Sequence, residues 1–381
     1  MSGASGWLND LKLRADFGVT GNQNFDNYLS LNTMTSFGDY YYNGQYLTVW
    51  GSARNVNPDL RWEKGINWNI GLDFALLDNR LSGSLNYFNR TQKDLLGDYN
   101  VPIPPYLFST TFVNVGTMKN SGFEFDIHAE AVKMKDFSYT IDFSGSTMDN
   151  RFLSFSNSDV GQKYYDVAGT EDPFPFHYLQ RIEEGKRLGT FYIWKFAGFN
   201  KTGDFIIYDK NGDYKLAADA TDADRMEVGN GLPKFTASMT HTFRYKGFDL
   251  SLYFRGAFGF DIFNIHEFYY GVPDEVGNVM KIAYTKNEHI KGNPVVCDYF
   301  LEKGDYVKLD MVNFGYTFDI NRKYIQKARL YLTGRNLLTF TKFSGVDPAS
   351  YNVNGLTPGA TGSRNWYPAT RQMIFGVQID F

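Results

Sequence analysis

Between residues 371 and 381 the chain alternates almost without a break. Met373, Phe375, Val377, Ile379 and Phe381 fall on one side, and Gln372, Gly376, Gln378 and Asp380 on the other; only Ile374 is out of place. A period of two marks a β-strand with one apolar and one polar face. The stretch has the length of a tilted strand crossing a bilayer, about 9–11 residues, and Phe381 gives it a terminal aromatic. Taken alone, it fits an edge strand of a soluble β-sandwich equally well.

The same alternation recurs along the chain. Leu11, Leu13, Ala15, Phe17 and Val19 alternate with Lys12, Arg14, Asp16 and Gly18, and Ile66, Trp68, Ile70, Leu72 and Phe74 with Asn67, Asn69, Gly71 and Asp73. After the turn at residues 77–80, Leu81, Gly83, Leu85 and Tyr87 resume the pattern, which predicts a hairpin. Further strand pairs are predicted around residues 123–143, 235–254 and 305–340, and about ten strands result in all. Short turns at 77–80, 133–136, 246–247 and 321–326 alternate with long connections at 22–61, 92–118, 147–232, 260–303 and 341–368. Compact soluble domains rarely carry structureless loops beyond about 12–15 residues. Alternating short and long connections instead match a transmembrane β-barrel, with short periplasmic turns and long extracellular loops. The polar faces agree. Glu124, Asp126, His128 and Glu130 on one strand would be costly in a dry core but not beside a water-filled lumen. His241 interrupts an apolar face and reads as a neutral or interfacial histidine.

Composition narrows the choice. Of 381 residues, 27 are Tyr, 34 Phe and 6 Trp, with 37 Gly, a mixture suited to strands, turns and wet–dry boundaries. The net charge of −4 gives nucleic acid no electrostatic footprint. No run of about 18 apolar residues predicts a membrane-spanning helix. The single cysteine, Cys297, excludes an internal disulfide, and the five histidines are scattered away from metal-ligand spacing. The first residues, MSGASGWLND, lack the regions of a signal peptide. No nucleophile sits in a recognisable catalytic motif, and Glu183-Glu184 reads as solvated loop charge, so the expectation is a protein that is not an enzyme.

Two sets of residues are candidates for binding. Asp209, Asn211 and Asp213 have the 1, 3, 5 oxygen spacing of a calcium loop, with Asp219 or Asp222 as further donors around position 12, which is Ala220. Tyr214 stands where such loops need glycine, and a metal-free acidic turn is the competing reading of residues 209–222. The second set is aromatic and lies outside the predicted strands: Tyr40, Tyr41, Tyr42, Tyr46, Trp50, Phe174, Phe176, Tyr178, Phe268, Tyr269, Tyr270, Trp366 and Tyr367. Such rings can stack on sugar faces, contact a partner protein, or pack among the loops themselves.

Several blocks together carry a family resemblance: WLNDLKLRADFGVTGNQ (7–23), NPDLRWEKGINWNIGLDF (57–74), RLSGSLNYFNRTQKDLL (80–96), NVGTMKNSGFEFDI (114–127), YKGFDLSLYFRGAFG (245–259) and LYLTGRNLLTFTKFSGVDP (330–348). Across essentially its whole length the chain resembles the SusC-like, or RagA-like, TonB-dependent outer-membrane transporters. The resemblance implies a barrel of 22 strands with a plugged lumen, of which these residues are the C-terminal part, without the signal peptide, TonB-binding segment, plug or earlier strands. It further implies a SusD-like lipoprotein lid, energy from TonB-ExbB-ExbD through the part not encoded here, and assembly machinery that reads the terminal Phe381. The implied cargo is an oligosaccharide. A receptor for siderophores or peptides, and a secreted β-rich adhesin or carbohydrate-binding protein, are the alternatives.

Overall fold

The computed structural model describes residues 7–381 apart from 24–25, 156–160, 162, 274–276, 321–323, 352–354 and 362–366. In chain order, β1 (Leu8–Asn22) is followed by a hairpin of β2 (Met34–Tyr42) and β3 (Gln45–Ser52). Then come the long strands β4 (Glu63–Leu76), β5 (Leu81–Asn100), β6 (Thr110–Lys133) and β7 (Phe137–Thr147). Eight shorter strands follow: β8 (Asp149–Ser154), β9 (Tyr164–Gly169), β10 (Tyr178–Glu183), β11 (Thr190–Ile193), β12 (Lys195–Phe199), β13 (Phe205–Tyr208), β14 (Tyr214–Leu216) and β15 (Met226–Asn230). Next are β16 (Phe235–Tyr245), β17 (Phe248–Phe258), β18 (Asp261–Phe263), α1 (Ile265–Tyr270) and β19 (Leu301–Lys303), and last β20 (Tyr306–Asp319), β21 (Lys327–Thr341) and β22 (Gln372–Asp380).

Ten of these strands form one antiparallel sheet in the order β1-β4-β5-β6-β7-β16-β17-β20-β21-β22, with β8 added beside β6. Each long strand pairs with its neighbour in sequence once the loop excursions are set aside, as in an up-and-down barrel wall. Among the described residues the sheet is not closed, and β1 and β22 are its edges. The expected short turns join β4 to β5, β6 to β7, β16 to β17 and β20 to β21.

The apolar face of this sheet is bare. Leu13, Phe17, Ile70, Phe123, Phe314, Leu332, Phe375 and Ile379 are all exposed, and among the described residues no second sheet covers them. That removes the sandwich, whose inner faces bury each other. Aromatic rings gather at both ends of the bare face. Trp68, Tyr87 and Phe123 follow one another at 5.3 and 4.9 Å, and Phe235 lies 6.0 Å from Phe258. At the turn end, Tyr139 stacks on Phe243 at 4.4 Å and Phe248 meets Tyr316 at 4.4 Å with tilted rings. The 11 residues of β16 run from one belt to the other, about 25 Å when tilted, which matches the apolar band of an outer-membrane barrel. His241 on this face meets the Tyr139 hydroxyl at 2.8 Å, so the neighbouring strand satisfies the histidine that interrupts the apolar side of β16.

The core lies elsewhere. The long connections at 148–234 and 259–305 are not structureless; they build a cap. It contains a sheet in the order β15-β11-β10-β9, a sheet β12-β13-β14 and the pair β18-β19. Phe174, Leu179, Phe191, Trp194, Phe205, Phe263, Phe268, Tyr269 and Phe300 are buried together between these pieces.

Candidate functional site

The polar face of the main sheet is a ladder of ion pairs. Arg14 on β1 donates to both carboxylate oxygens of Asp73 on β4 at 2.7 Å, and to Asn86 on β5 at 2.9 Å. Arg329 on β21 donates to Asp249 on β17 at 2.9 and 2.5 Å and to Asn313 on β20 at 2.8 Å. In both places the guanidinium lies over a glycine. A Cβ on Gly71 would come within 2.4 Å of Asn86 and 3.0 Å of Arg14, and one on Gly315 within 2.5 Å of Arg329. Arg255 joins Asp310 at 2.8 Å, and His128 joins Asp142 at 2.6 Å. Planar arginine forks on carboxylates satisfy charge along a wet wall without closing it off. The sequence displays these glycines and arginines, but only the register shows which of them cross.

Above the sheet the last long connection is fastened to the wall at Asp347 and to the cap at Pro358 and Gly359. Lys308 on β20 donates to Asp347 at 2.9 Å, and both are buried. Gln180 on β10 donates to the carbonyls of Gly189 and Pro358 at 3.2 and 2.6 Å. Gly359, at φ +72°, packs against Gly231 so closely that a Cβ would lie 2.7 Å from its Cα. Inside the cap Arg181 is held by Asp166 at 2.7 Å, with the rings of Tyr164 and Tyr192 each 3.8 Å from its guanidinium carbon. Trp194 bridges to Cys297 in parallel register, and the Asp298 carboxylate accepts from the Phe196 amide at 2.6 Å, which ties one long connection to the other. Burial pushes the Asp298 carboxyl and the Cys297 thiol up from their ordinary values, and pushes the His177 and His266 imidazoles down.

The aromatic candidates divide into three groups. Phe174, Phe268 and Tyr269 are buried in the cap core, and Tyr270 packs against it. Their role is loop packing: Phe174 meets Phe268 at 5.4 Å and Tyr269 at 5.7 Å. Phe176 and Tyr178 remain exposed, edge to face at 4.9 Å. Tyr40, Tyr41, Tyr42, Tyr46 and Trp50 lie on the strands of the hairpin β2–β3 rather than in a loop, and all are exposed. Alternation there was hidden because the hairpin is apolar on both faces. Tyr367 is 88% exposed and Trp366 lies outside the described residues. Phe381 follows β22 and is exposed.

Asp209, Asn211 and Asp213 form the turn between β13 and β14. One Asp209 oxygen accepts from the Asn211 and Asp213 amides at 2.8 and 2.9 Å, and these bonds hold its carboxyl below the usual range, the Asp213 amide most of all. Asp224 is spent on Lys215 and Thr221, and Asp222 faces Arg225 at 3.6 Å. Among the described residues no three or more of His, Cys, Asp and Glu gather as a metal site. The acidic spacing shapes a hairpin turn in which the Asp209 carboxylate accepts from its own following amides.

A bare apolar band between aromatic belts, a polar inner ladder and a folded cap form the wall of a membrane barrel, and comparison with known proteins agrees. A family profile described as "TonB dependent receptor-like, beta-barrel" matches residues 3–337. The chain belongs to the TonB-dependent receptor β-barrel family. It is 30% identical to TonB-dependent receptor P3 of Formosa agariphila over 97% of this chain and 39% of that protein. It is 24% identical to TonB-dependent receptor SusC of Bacteroides thetaiotaomicron over 98% of this chain and 38% of that protein. The solved RagAB peptide transporter superposes with a TM-score of 0.75 at 23% identity, over 100% of this chain and 42% of that one. The chain thus spans about two fifths of the length of the curated relatives it matches. The family is one of outer-membrane transport barrels, and none of the described helices is long and apolar enough to cross a membrane.

Proposed function

We propose that this chain forms part of the wall and cap of an outer-membrane importer that takes up a large oligomeric nutrient, an oligosaccharide in the first instance. The observation that carries this reading is the bare apolar face of the ten-stranded sheet backed by an ion-paired polar face. An apolar face without protein cover is stable in lipid and nowhere else at this size. In lipid the edges β1 and β22 need partner strands, which further strands of the same barrel supply.

The hairpin β2–β3 supports a surface lipoprotein of the SusD kind as lid. It is a two-stranded sheet standing by itself, with Tyr40, Tyr41, Tyr46 and Trp50 all exposed, and such hairpins are marginal without a partner. TonB-ExbB-ExbD would supply energy through transporter segments other than these residues. An oligosaccharide is favoured over a siderophore by the rings Tyr40 and Tyr42, which project from one face of the hairpin 6.2 Å apart.

Deletion of the gene and complementation, scored by growth on defined oligosaccharides, their monosaccharides and peptide mixtures, tests the reading. Growth lost on one class of oligosaccharide and kept on its monosaccharides is expected. A loss confined to peptides would replace the cargo, and a protein found only in the soluble fraction would end the import reading.

A further inference from the structure

A groove of about 400 Å³ opens on the outward side of the wall, just above the aromatic belt at the cap end. Tyr87 and Phe123, whose rings meet at 4.9 Å in that belt, line its lower part, and Asp149, Arg151, Arg187 and Lys234 line it towards the cap. Phe123 is 59% exposed, so its ring is open to a ligand. The groove lies over β6, β7 and β8, in the middle of the sheet and away from the edges β1 and β22.

Register brings the cations together. Period two puts Lys119 and Ser121 on the same face as Phe123. There β8 pairs with β6, with Asp149 opposite Ser121 and Arg151 opposite Lys119, and one further bridge from the cap sets Arg187 opposite Arg151. Opposite side chains in an antiparallel ladder point the same way, so Lys119, Arg151 and Arg187 form a row of three cations on the outward face. Like charges so placed repel one another. Asp149 is the one carboxylate lining the groove; it accepts from the Arg151 Nε at 2.7 Å, and its other oxygen lies 3.7 Å from Arg187. Arg187 is held by the carbonyls of Met148 and Pro233, both at 3.0 Å. Lys119 and Lys234 have no ion pair or side-chain hydrogen bond among the described residues.

Surplus cations directly above an aromatic belt match an amphiphile with an anionic head. Ser121 and Lys119 lie two and four residues beyond Phe123, about 7 and 13 Å along the strand, which is headgroup depth once the strand tilts. We propose that the groove binds an anionic lipid of the leaflet on the cap side, its phosphate on Arg151 and Lys234 and an acyl chain running down the bare face over Phe123 and Tyr87. Arg187 and Lys119 strengthen the positive field beside it. Long cationic side chains reach such a head while their stems stay on apolar surface. A soluble anion would use the cations and leave the exposed rings without a partner. The inference rests on the apolar face lying in lipid and is independent of the cargo.

The test uses the whole transporter extracted from outer membranes in a maltoside detergent. Dioleoyl phosphatidic acid and dioleoyl phosphatidylcholine are the probes, and native mass spectrometry reads their retention. Phosphatidic acid should bind about tenfold more tightly than phosphatidylcholine, the margin of a charge-assisted contact. Lys234→Gln removes a cation that has no partner to lose, and should weaken phosphatidic acid about fivefold. Arg151→Gln combined with Lys234→Gln should bring it down to phosphatidylcholine. Millimolar inorganic phosphate should leave the lipid in place. Unchanged retention of phosphatidic acid in Lys234→Gln would overturn the site, and displacement by inorganic phosphate would make it a site for a soluble anion instead. Equal retention of both lipids by an unaltered transporter that still shows its heat shift would overturn the site and leave the membrane wall standing. Absence of the heat shift would end both.

Discussion

Arg329 reaches Asp249 from two strands away, and it can do so only because Gly315 lies between them. Asp249 stands opposite Gly315 in the ladder, and the guanidinium crosses the bare Cα to make both bonds. The same arrangement recurs at the far end of the sheet, where Arg14 crosses Gly71 to Asn86. Gly315→Leu should push Arg329 off Asp249 and leave the carboxylate without its fork, at about 1–3 kcal/mol. The temperature at which the folded band converts to the unfolded one on gels should fall. An unchanged conversion would show that the crossing contributes nothing.

The two faces of β22 should respond oppositely to charge. Phe375 is exposed on the apolar side, and Gln378 is on the polar side beside Arg329. Phe375→Arg places a cation against lipid, which costs about 2–4 kcal/mol near the bilayer midplane, whereas Gln378→Glu should be tolerated. The fraction of heat-modifiable protein in the outer membrane is the measurement, and equal assembly of both variants would contradict the assignment of the faces.

The cap should loosen without the barrel. Phe268 is completely buried among Phe174, Phe263 and Phe300. Its truncation to Ala should cost about 3–5 kcal/mol. Because its contacts are confined to the cap, Phe268→Ala should expose the turns at residues 200–204 and 209–213 to added protease while the barrel's heat shift stays where it was. Loss of both together would mean that cap and barrel fold as one unit.

Acid should act on the cap in two stages. Burial pushes His177 down, with Asp222 and Arg225 facing it in opposite senses, and burial alone pushes His266 down. A histidine with a depressed folded pKa contributes fully above its unfolded value of about 6.5, and the contribution is lost as pH falls from there towards the folded pKa. Asp224, held well below the carboxylate range by Lys215 and then by Thr221, contributes above about 3.9 and fails only in stronger acid. The protection of cap amides, measured against their intrinsic exchange rates, should therefore fall first below about pH 6.5, and His177→Phe with His266→Phe should flatten that stage. Persistence of the first stage in the double variant would assign it to other groups.

Cys297 is fully buried in the cap, and burial pushes its thiol above the ordinary range. A maleimide should leave it unmodified in native membranes and modify it after denaturation, as read by mass. Labelling in the native state would show that the cap opens.

The alternation of side chains along β1, β4, β5, β16, β17 and β22 was enough to specify strands, their number, the short turns and the two faces, because period two is a local property and lipid on one side with water on the other enforces it along every strand. Nothing local specified the cap. Phe174, Trp194, Phe268 and Cys297 come from segments with no periodicity, and their burial exists only once residues about a hundred positions apart have met. The rings of Phe174 and Tyr40 therefore read alike in the chain, yet one became core and the other surface. The acidic 1, 3, 5 spacing left a calcium loop and a metal-free turn both open for the same reason, since the amides from which Asp209 accepts take their positions only once the turn has formed. Side-chain pattern along a strand decides its faces, whereas packing between distant segments decides what a loop residue is for.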